Sequence, residues 1–329
     1  MKRVKRISDV FIVSHAAAVG REEWRGPHGE KFDHHDESNR FGEETWEKAE
    51  GAMQGIALSL ALKKGNVTRD PELLFSGDLQ NQCMASAYGL LPYGLPYFGL
   101  YGACSTLTEG LCLASMVLGG GMAEDACVVT SSHTAAAERQ FRLPLEYGGQ
   151  RPPTAQWTAT AAGAFYLSRE RESRVCVRAA MAGCLVDGGI RDSSNMGAAM
   201  APAAAESILT FLRDTDSSPD EYDHIVTGDL GVVGSTLLRD LMENEGVPLQ
   251  NHLDCGCLLY DLEAQDAHAG ASGCGCSAAM LSAHFLPMLT RGEKKRILFL
   301  STGALMSPSS VAQGEDVFGI APVVLLEHC

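Results

Sequence analysis

Leu95–Gly121 reads LPYFGLYGACSTLTEGLCLASMVLGGG, and the rest of the chain is arranged around it. A short apolar and aromatic run ends at Gly102-Ala103, and Cys104 follows. Leu107, Leu111, Ala114 and Leu118 then recur at helical spacing among small and apolar residues, which predicts a helix buried nearly all round. Thr106 and Glu109 fit a capping box, and Gly119-Gly120-Gly121 supply the stop. Cys104 is therefore expected where a strand gives way to the N-terminus of a buried helix. Partial positive charge there favours a thiolate and attracts anions. The competing reading is a buried, inert thiol, because free cysteine is among the most buried residue types and the chain has 11.

At 329 residues the chain has room for two domains or one large α/β unit. A hydrophobic content of 45%, 35 glycines and only 20% charged residues describe a big core with tight turns. No apolar run approaches the ~20 residues that span a bilayer. The N-terminal MKRVKRISDVFIVSHAAAVG puts basic residues ahead of an apolar run, but Asp9 and His15 interrupt it. It reads as a first strand, Val4–Val13, rather than a secretory signal. A cytosolic location is expected, and the irregular cysteine spacing agrees. The net charge of -15 argues against nucleic acid or an anionic membrane surface as a direct partner, though not against docking onto a membrane protein.

Helical periodicity covers Trp46–Lys63, Glu72–Leu79 (ELLFSGDL) reads as a buried strand with a turn, and Asn81–Leu90 as a helix. Ala126–Ser132 is a buried strand that delivers His133 to its C-terminal end, where α/β proteins place ligand groups; a satisfied structural histidine is the alternative. Glu138–Thr158 is expected to be a loop: it holds three prolines, with Arg139, Arg142 and Arg151 beside Tyr147 and Trp157. Ala161–Leu167 reads as a strand. The run Asp33-His34-His35-Asp36 has metal-seeking residue types but, crowded in a loop, is read as solvated. The pairs Cys255-x-Cys257 and Cys274-x-Cys276 have one intervening residue where zinc sites have two to four. With no Walker A loop or dinucleotide glycine fingerprint either, no metal and no cofactor is expected.

The second half repeats the first. Ile225–Leu230 (IVTGDL) echoes Leu74–Leu79 (LFSGDL), and Gly270–Leu281 is a glycine turn into a small-residue helix like Gly102–Leu113. Arg296–Thr302 mirrors Ala126–Ser132, and Pro322–Glu327 mirrors Ala164–Ser168. A repeat this long implies a duplicated α/β half, with boundaries near 1–170 and 171–329. Asp78 and Asp229 are twins in this repeat and read as turn carboxylates accepting backbone N–H groups.

A duplicated α/β chain with a cysteine opening a buried central helix resembles the thiolase and ketoacyl-synthase superfamily. Leu95–Gly110 is similar to that superfamily's nucleophile segment, with Cys104 in the nucleophile position. His268–Ser277 (HAGASGCGCS) resembles the place of its catalytic histidine or asparagine, so His268 is expected to face Cys104. A narrower likeness is to the stage V sporulation AD family of spore-forming bacteria. It is carried by Thr130–Thr158 (TSSHTAAAERQFRLPLEYGGQRPPTAQWT) and Gln265–Ala278 (QDAHAGASGCGCSA), and extends over essentially the whole chain.

That resemblance implies a five-layer α-β-α-β-α fold. It also implies a soluble protein that binds dipicolinate (pyridine-2,6-dicarboxylate), free or as its calcium chelate, for uptake into the developing spore. The implied partners are the membrane proteins of the stage V sporulation A operon. The implied location is the cytoplasm of the sporulating cell, peripheral at the spore inner membrane. A homodimer is implied only through the superfamily, which is often dimeric.

The alternative is an acyltransferase with Cys104 as nucleophile and His268 as its base. Against it, initiating ketoacyl synthases carry a histidine in a His-Gln-Ala-Asn setting where this chain has Val226-Thr227-Gly228-Asp229-Leu230. Thiolases place a second cysteine where it has Ser301-Thr302-Gly303. The old site is expected to persist as a pocket. A planar dicarboxylate calls for guanidinium groups and a stacking surface. The expected ligand residues are Cys104, His133, Arg139, Arg142, Arg151, Trp157 and His268.

Overall fold

The computed structural model describes residues 2–141 and 151–329. In chain order its main strands are β1 (Phe11–Gly20), β2 (Leu73–Gly77), β3 (Tyr97–Gly99), β4 (Asp125–Ser132), β5 (Ala161–Ser168), β6 (Val175–Met181), β7 (His224–Thr227), β8 (His252–Asp254), β9 (Arg296–Leu300) and β10 (Val323–His328). The helices that matter below are α1 (Trp46–Lys64), α2 (Met84–Leu90), α3 (Thr106–Gly119), α4 (Thr134–Phe141), α5 (Met196–Thr215), α6 (Gly231–Asn244) and α7 (Cys274–Met280).

The strands run in the order β8-β7-β9-β10-β6-β1-β5-β4-β2-β3. β6 and β1 meet through a single register pair, Phe11 opposite Cys176, so the path folds into two five-stranded sheets hinged at that point. The elements that repeat in sequence hold matching places: β2, which runs into Gly77-Asp78-Leu79, and β7, which runs into Gly228-Asp229-Leu230, are both fourth from the hinge, and β4 and β9 are both third.

Three cores separate the layers. Met53, Ala57 and Leu58 of α1 cover the outer face of the first sheet, against Leu74, Val129 and Ala164. Ile208 and Phe211 of α5 cover the outer face of the second, against Ile225, Leu298 and Leu325. Between the sheets lie α3 and α7, where Leu107, Leu111, Ala278 and Met280 meet Val128, Phe165, Val177 and Phe299. This is the thiolase-like α-β-α-β-α stack. The small residues of α7 are needed for its close seat: a Cβ on Gly275 would lie 2.1 Å from the Ala161 carbonyl, and one on Gly163 2.7 Å from Ala278. Among the described residues no helix is long and apolar enough to cross a membrane.

Several local expectations shift. The first long strand is Phe11–Gly20, not Val4–Val13: Asp9 takes φ 56° and interrupts the extended backbone, and Ala16–Ala18 continue the strand because Ala16 and Ala18 are buried under α1 and Ala17 in the core between the sheets. Residues 81–90 form a short turn and then α2, kinked where Gln82 and Cys83 take positive φ. Glu138–Phe141, expected as loop, end helix α4. The capping box at α3 is absent, since Thr106 Oγ1 instead donates to the Ala103 carbonyl (2.7 Å) and accepts from Gly102 N (3.0 Å). Glu109 Oε2 is left buried with no hydrogen-bond partner among the described residues.

Candidate functional site

Cys104 sits in the turn between β3 and α3. Ala103 before it has φ 51°, a strained conformation for a residue with a Cβ, held by the hydroxyls of Thr106 and Ser105 on the carbonyls of Ala103 and Gly102. The thiol is 4% exposed, and its Sγ lies 3.7 Å from Ser272 Oγ. The Asp229 side chain and the Gly273 backbone N–H are also close enough to act on the thiol. Asp229 Oδ2 accepts from Gly273 N (2.8 Å) and Oδ1 from Thr302 Oγ1 (2.8 Å). Burial pushes the Asp229 carboxyl up to about 7, against the pull of those bonds, with nearby Asp254 adding to the rise.

The expected thiolate is therefore reversed. Burial first, and the Asp229 carboxylate second, raise the Cys104 thiol well above its ordinary value. A helix N-terminus contributes about 0.3–1 kcal/mol, whereas ionising a buried group beside a carboxylate costs several kcal/mol. The larger effect wins, and the thiol stays protonated. The space over Cys104 is about 40 Å³, room for roughly three ordered waters. Tyr101, Ala137, Thr158, Met196 and Met306 wall it, and no histidine or arginine lines it among the described residues.

His268 does not join Cys104 in this pocket. It takes φ 48° in the turn before residues 271–272 and directs its ring outward, with Nδ1 3.2 Å from the Pro152 carbonyl and Nε2 3.2 Å from Asp266 Oδ1. The physical reason is a two-residue parallel ladder. Ala271 pairs with Trp157 and Ser272 with Thr158, so Ser272 and Thr158 reach Cys104 while His268 lies several residues upstream at the surface.

At the upstream end of this ladder an open cleft of about 670 Å³ is lined by Arg151, Pro152, Pro153 and His268. The Arg151 guanidinium carbon stands 4.6 Å from the centroid of the Trp157 ring, and Nη2 donates to the Asp266 carbonyl (2.7 Å). Nη1 is buried and has no hydrogen-bond partner among the described residues. Three of the expected residues, Arg151, Trp157 and His268, are thus brought together, but one ladder away from Cys104.

The others lie apart. Arg139 pairs with Glu47 at 2.6 Å on the surface. His133 is buried at the end of β4, its Nε2 donating to the Asn39 carbonyl (2.9 Å) and its ring 5.3 Å from that of Trp46; burial lowers its pKa. Arg142 lies outside the described residues, as does Tyr147. Among the described residues no group of three or more metal-ligating side chains could hold an ion. In the Asp33–Asp36 run, Asp33 pairs with Lys64 and His35 stacks on Trp24 at 3.9 Å.

The residues that sequence reasoning missed are Asp229 and Ser272. The recurrence of Gly-Asp-Leu was the available signal. For Asp78 the turn-carboxylate reading holds, with bonds from the backbone N–H groups of Gln80 and Ser86 (both 2.8 Å). Asp229 spends one oxygen that way and turns the carboxyl toward Cys104, in the segment that takes the place of the His-Gln-Ala-Asn motif.

The profile of the family described as stage V sporulation protein AD matches residues 2–327. The stage V sporulation protein AD of Bacillus subtilis (strain 168) is 40% identical over 321 residues, covering 97% of this chain and 94% of the relative. Among solved structures, 3-oxoacyl-[acyl-carrier-protein] synthase III from Aquifex aeolicus VF5 superposes with a TM-score of 0.60 at 14% identity, covering 97% of this chain and 99% of its own. A cerulenin-bound OleA from Xanthomonas campestris gives 0.59 at 15% identity, covering 97% and 98%. At that identity the two structures establish the fold alone.

Proposed function

The chain belongs to the stage V sporulation protein AD family, and from that premise we propose that it binds dipicolinate and supports its uptake into the developing spore. On this reading it works from the cytoplasmic side, docked on the membrane proteins of the same operon. The observation that carries the ligand reading is Arg151. A buried guanidinium nitrogen without a partner among the described residues, at the edge of an open cleft beside His268, calls for an anion. Dipicolinate is a dianion at neutral pH, and burying a carboxylate uncompensated would cost several kcal/mol. Arg151, which also meets Asp266 Oδ2 at 3.9 Å, offers a fixed charge with a donor unpartnered among the described residues, His268 a second polar group, and Trp157 aromatic surface behind the guanidinium.

The Cys104 site favours the same conclusion by its chemistry. Acyl transfer needs a thiolate or a base to make one. Here the thiol has a carboxyl, a hydroxyl and the Gly273 N–H beside it, and burial and the carboxylate outweigh the two donors and disfavour ionisation. Tryptophan fluorescence tests the cleft. Dipicolinate is expected to change the emission of the wild-type protein, and the change should disappear in Trp157→Phe. Emission that is unaffected by saturating dipicolinate, or a response that survives in Trp157→Phe, would count against this site.

A further inference from the structure

The strands β6 and β10 carry two thiols that the function above does not use. Their antiparallel register sets Cys176 opposite Glu327 and Val175 opposite His328. One residue further, Cys329 N donates to the Arg174 carbonyl at 3.0 Å, so Cys329 continues the ladder opposite Arg174. Side chains alternate along a strand, which sends Cys176 and Cys329 to the same face at diagonal positions. Each thiol points along the seam between the strands: Cys176 Sγ lies 3.6 Å from the Glu327 carbonyl, and Cys329 Sγ 3.6 Å from the Ser173 carbonyl. The two groups are close enough to interact directly, with Arg178 and Glu327 as their charged neighbours. They differ in access, for Cys176 is 1% exposed and Cys329 is on the surface.

We propose that Cys176 and Cys329 form a thiol-pair modification site that closes to an intramolecular disulfide, with a low-molecular-weight disulfide such as oxidised glutathione as the oxidant. Cys329, the accessible member, loses its proton and attacks one sulfur of the small disulfide. A mixed disulfide forms and one small thiol leaves. Cys176, which no solution disulfide reaches directly, loses its proton in turn and attacks the Cys329 sulfur. The Cys176–Cys329 bond forms as the second small thiol departs. Two protein thiols are oxidised, one small disulfide is reduced to two thiols, and the two protons end on those leaving groups. The order follows from the surroundings: burial, with the neighbouring Cys329, pushes Cys176 up to about 12, so it serves as the resolving thiol rather than the entry point. Closure would fasten the end of β10 to β6 at Cys176, the residue that pairs with Phe11 at the hinge between the sheets.

The test is to incubate the whole protein with oxidised glutathione at mildly alkaline pH, quench with acid, alkylate the remaining thiols under denaturation, and map peptides by mass. Cys184, also exposed, serves as the internal control. The expected product has lost two hydrogens, links the peptides containing residues 176 and 329, and carries no glutathione at Cys329, while Cys184 holds a mixed disulfide. Cys329→Ser should leave Cys176 fully alkylatable, and Cys176→Ala should leave a stable glutathione adduct on Cys329. The proposal is overturned if wild-type Cys329 keeps its adduct as Cys184 does while Cys176 remains free.

Discussion

Replacing Asp229 by asparagine should flatten part of the pH dependence of stability. The folded state holds this carboxyl at about 7 against an ordinary 3.8, because it is fully buried beside Cys104. The sign is that of a raised acid: between those values the folded chain keeps a proton that the unfolded chain has released. Its contribution is favourable at low pH and is lost as pH rises through about 7. Integrating the proton difference from pH 6 to pH 8 gives a loss of about 1.4 kcal/mol from this one group. Asparagine imitates the protonated acid, accepting from Gly273 N and donating towards Thr302, and it does not titrate. Urea unfolding of wild type and Asp229→Asn at pH 6 and pH 8 reads the effect as the difference between the two proteins. That difference cancels the parallel contributions of buried Glu23 and Glu50, which are also raised. The variant should gain about 1.4 kcal/mol on wild type between the two pH values, and its Cys104 should alkylate faster because the carboxylate is gone. Parallel stability curves would refute the buried, proton-sharing site.

Other outcomes follow from the same geometry. Arg151→Ala should weaken dipicolinate binding by about 1.5–3 kcal/mol, the worth of a charged hydrogen bond, which is roughly tenfold to hundredfold in Kd; unchanged affinity would remove the cleft from the ligand site. Cys104→Ala should alter affinity far less, since a thiol is a weak partner for a carboxylate, and Cys104→Asp should be worse than alanine because it adds like charge; a complete loss on Cys104→Ala would return the thiol to the centre of the chemistry. The edge strand β3 leaves Phe98 52% exposed, with Tyr88 at 54% and Leu91 at 77% nearby, and such an edge calls for a cover. Light scattering should find a homodimer that Phe98→Lys dissociates; a wild-type monomer at the same concentration would contradict the pairing.

The architecture was legible because its signals are periodic. The apolar spacing from Leu107 to Leu118 and the repeated Gly-Asp-Leu after a buried strand survive in the fold as α3 and as the twin positions of β2 and β7. The extent of β1 was not legible, because Ala16–Ala18 carry no strand preference of their own and owe their extended form to burial, Ala16 and Ala18 under α1 and Ala17 between the sheets. The chemistry of Cys104 could not be read from position. A helix N-terminus is visible in sequence, but the carboxyl of Asp229, 125 residues on, arrives only through the packing of β7 against β9. His268 was misplaced for a related reason. A glycine turn can be recognised from composition, yet which of its residues faces inward depends on the ladder with Trp157–Thr158. Arg151, in contrast, was legible only as one of three loop arginines, with Arg139 and Arg142, set among aromatics in an acidic chain; among the described residues it is the one of them that stacks on Trp157.

The claim that this chain binds a planar dianion through the cleft lined by Arg151 and His268 is tested most directly by calorimetric titration of the wild-type protein with dipicolinate and with its positional isomers. One site per chain, with the 2,6-dicarboxylate preferred over every isomer, is the result the account predicts. No heat of binding, or equal affinity for all the isomers, would contradict it.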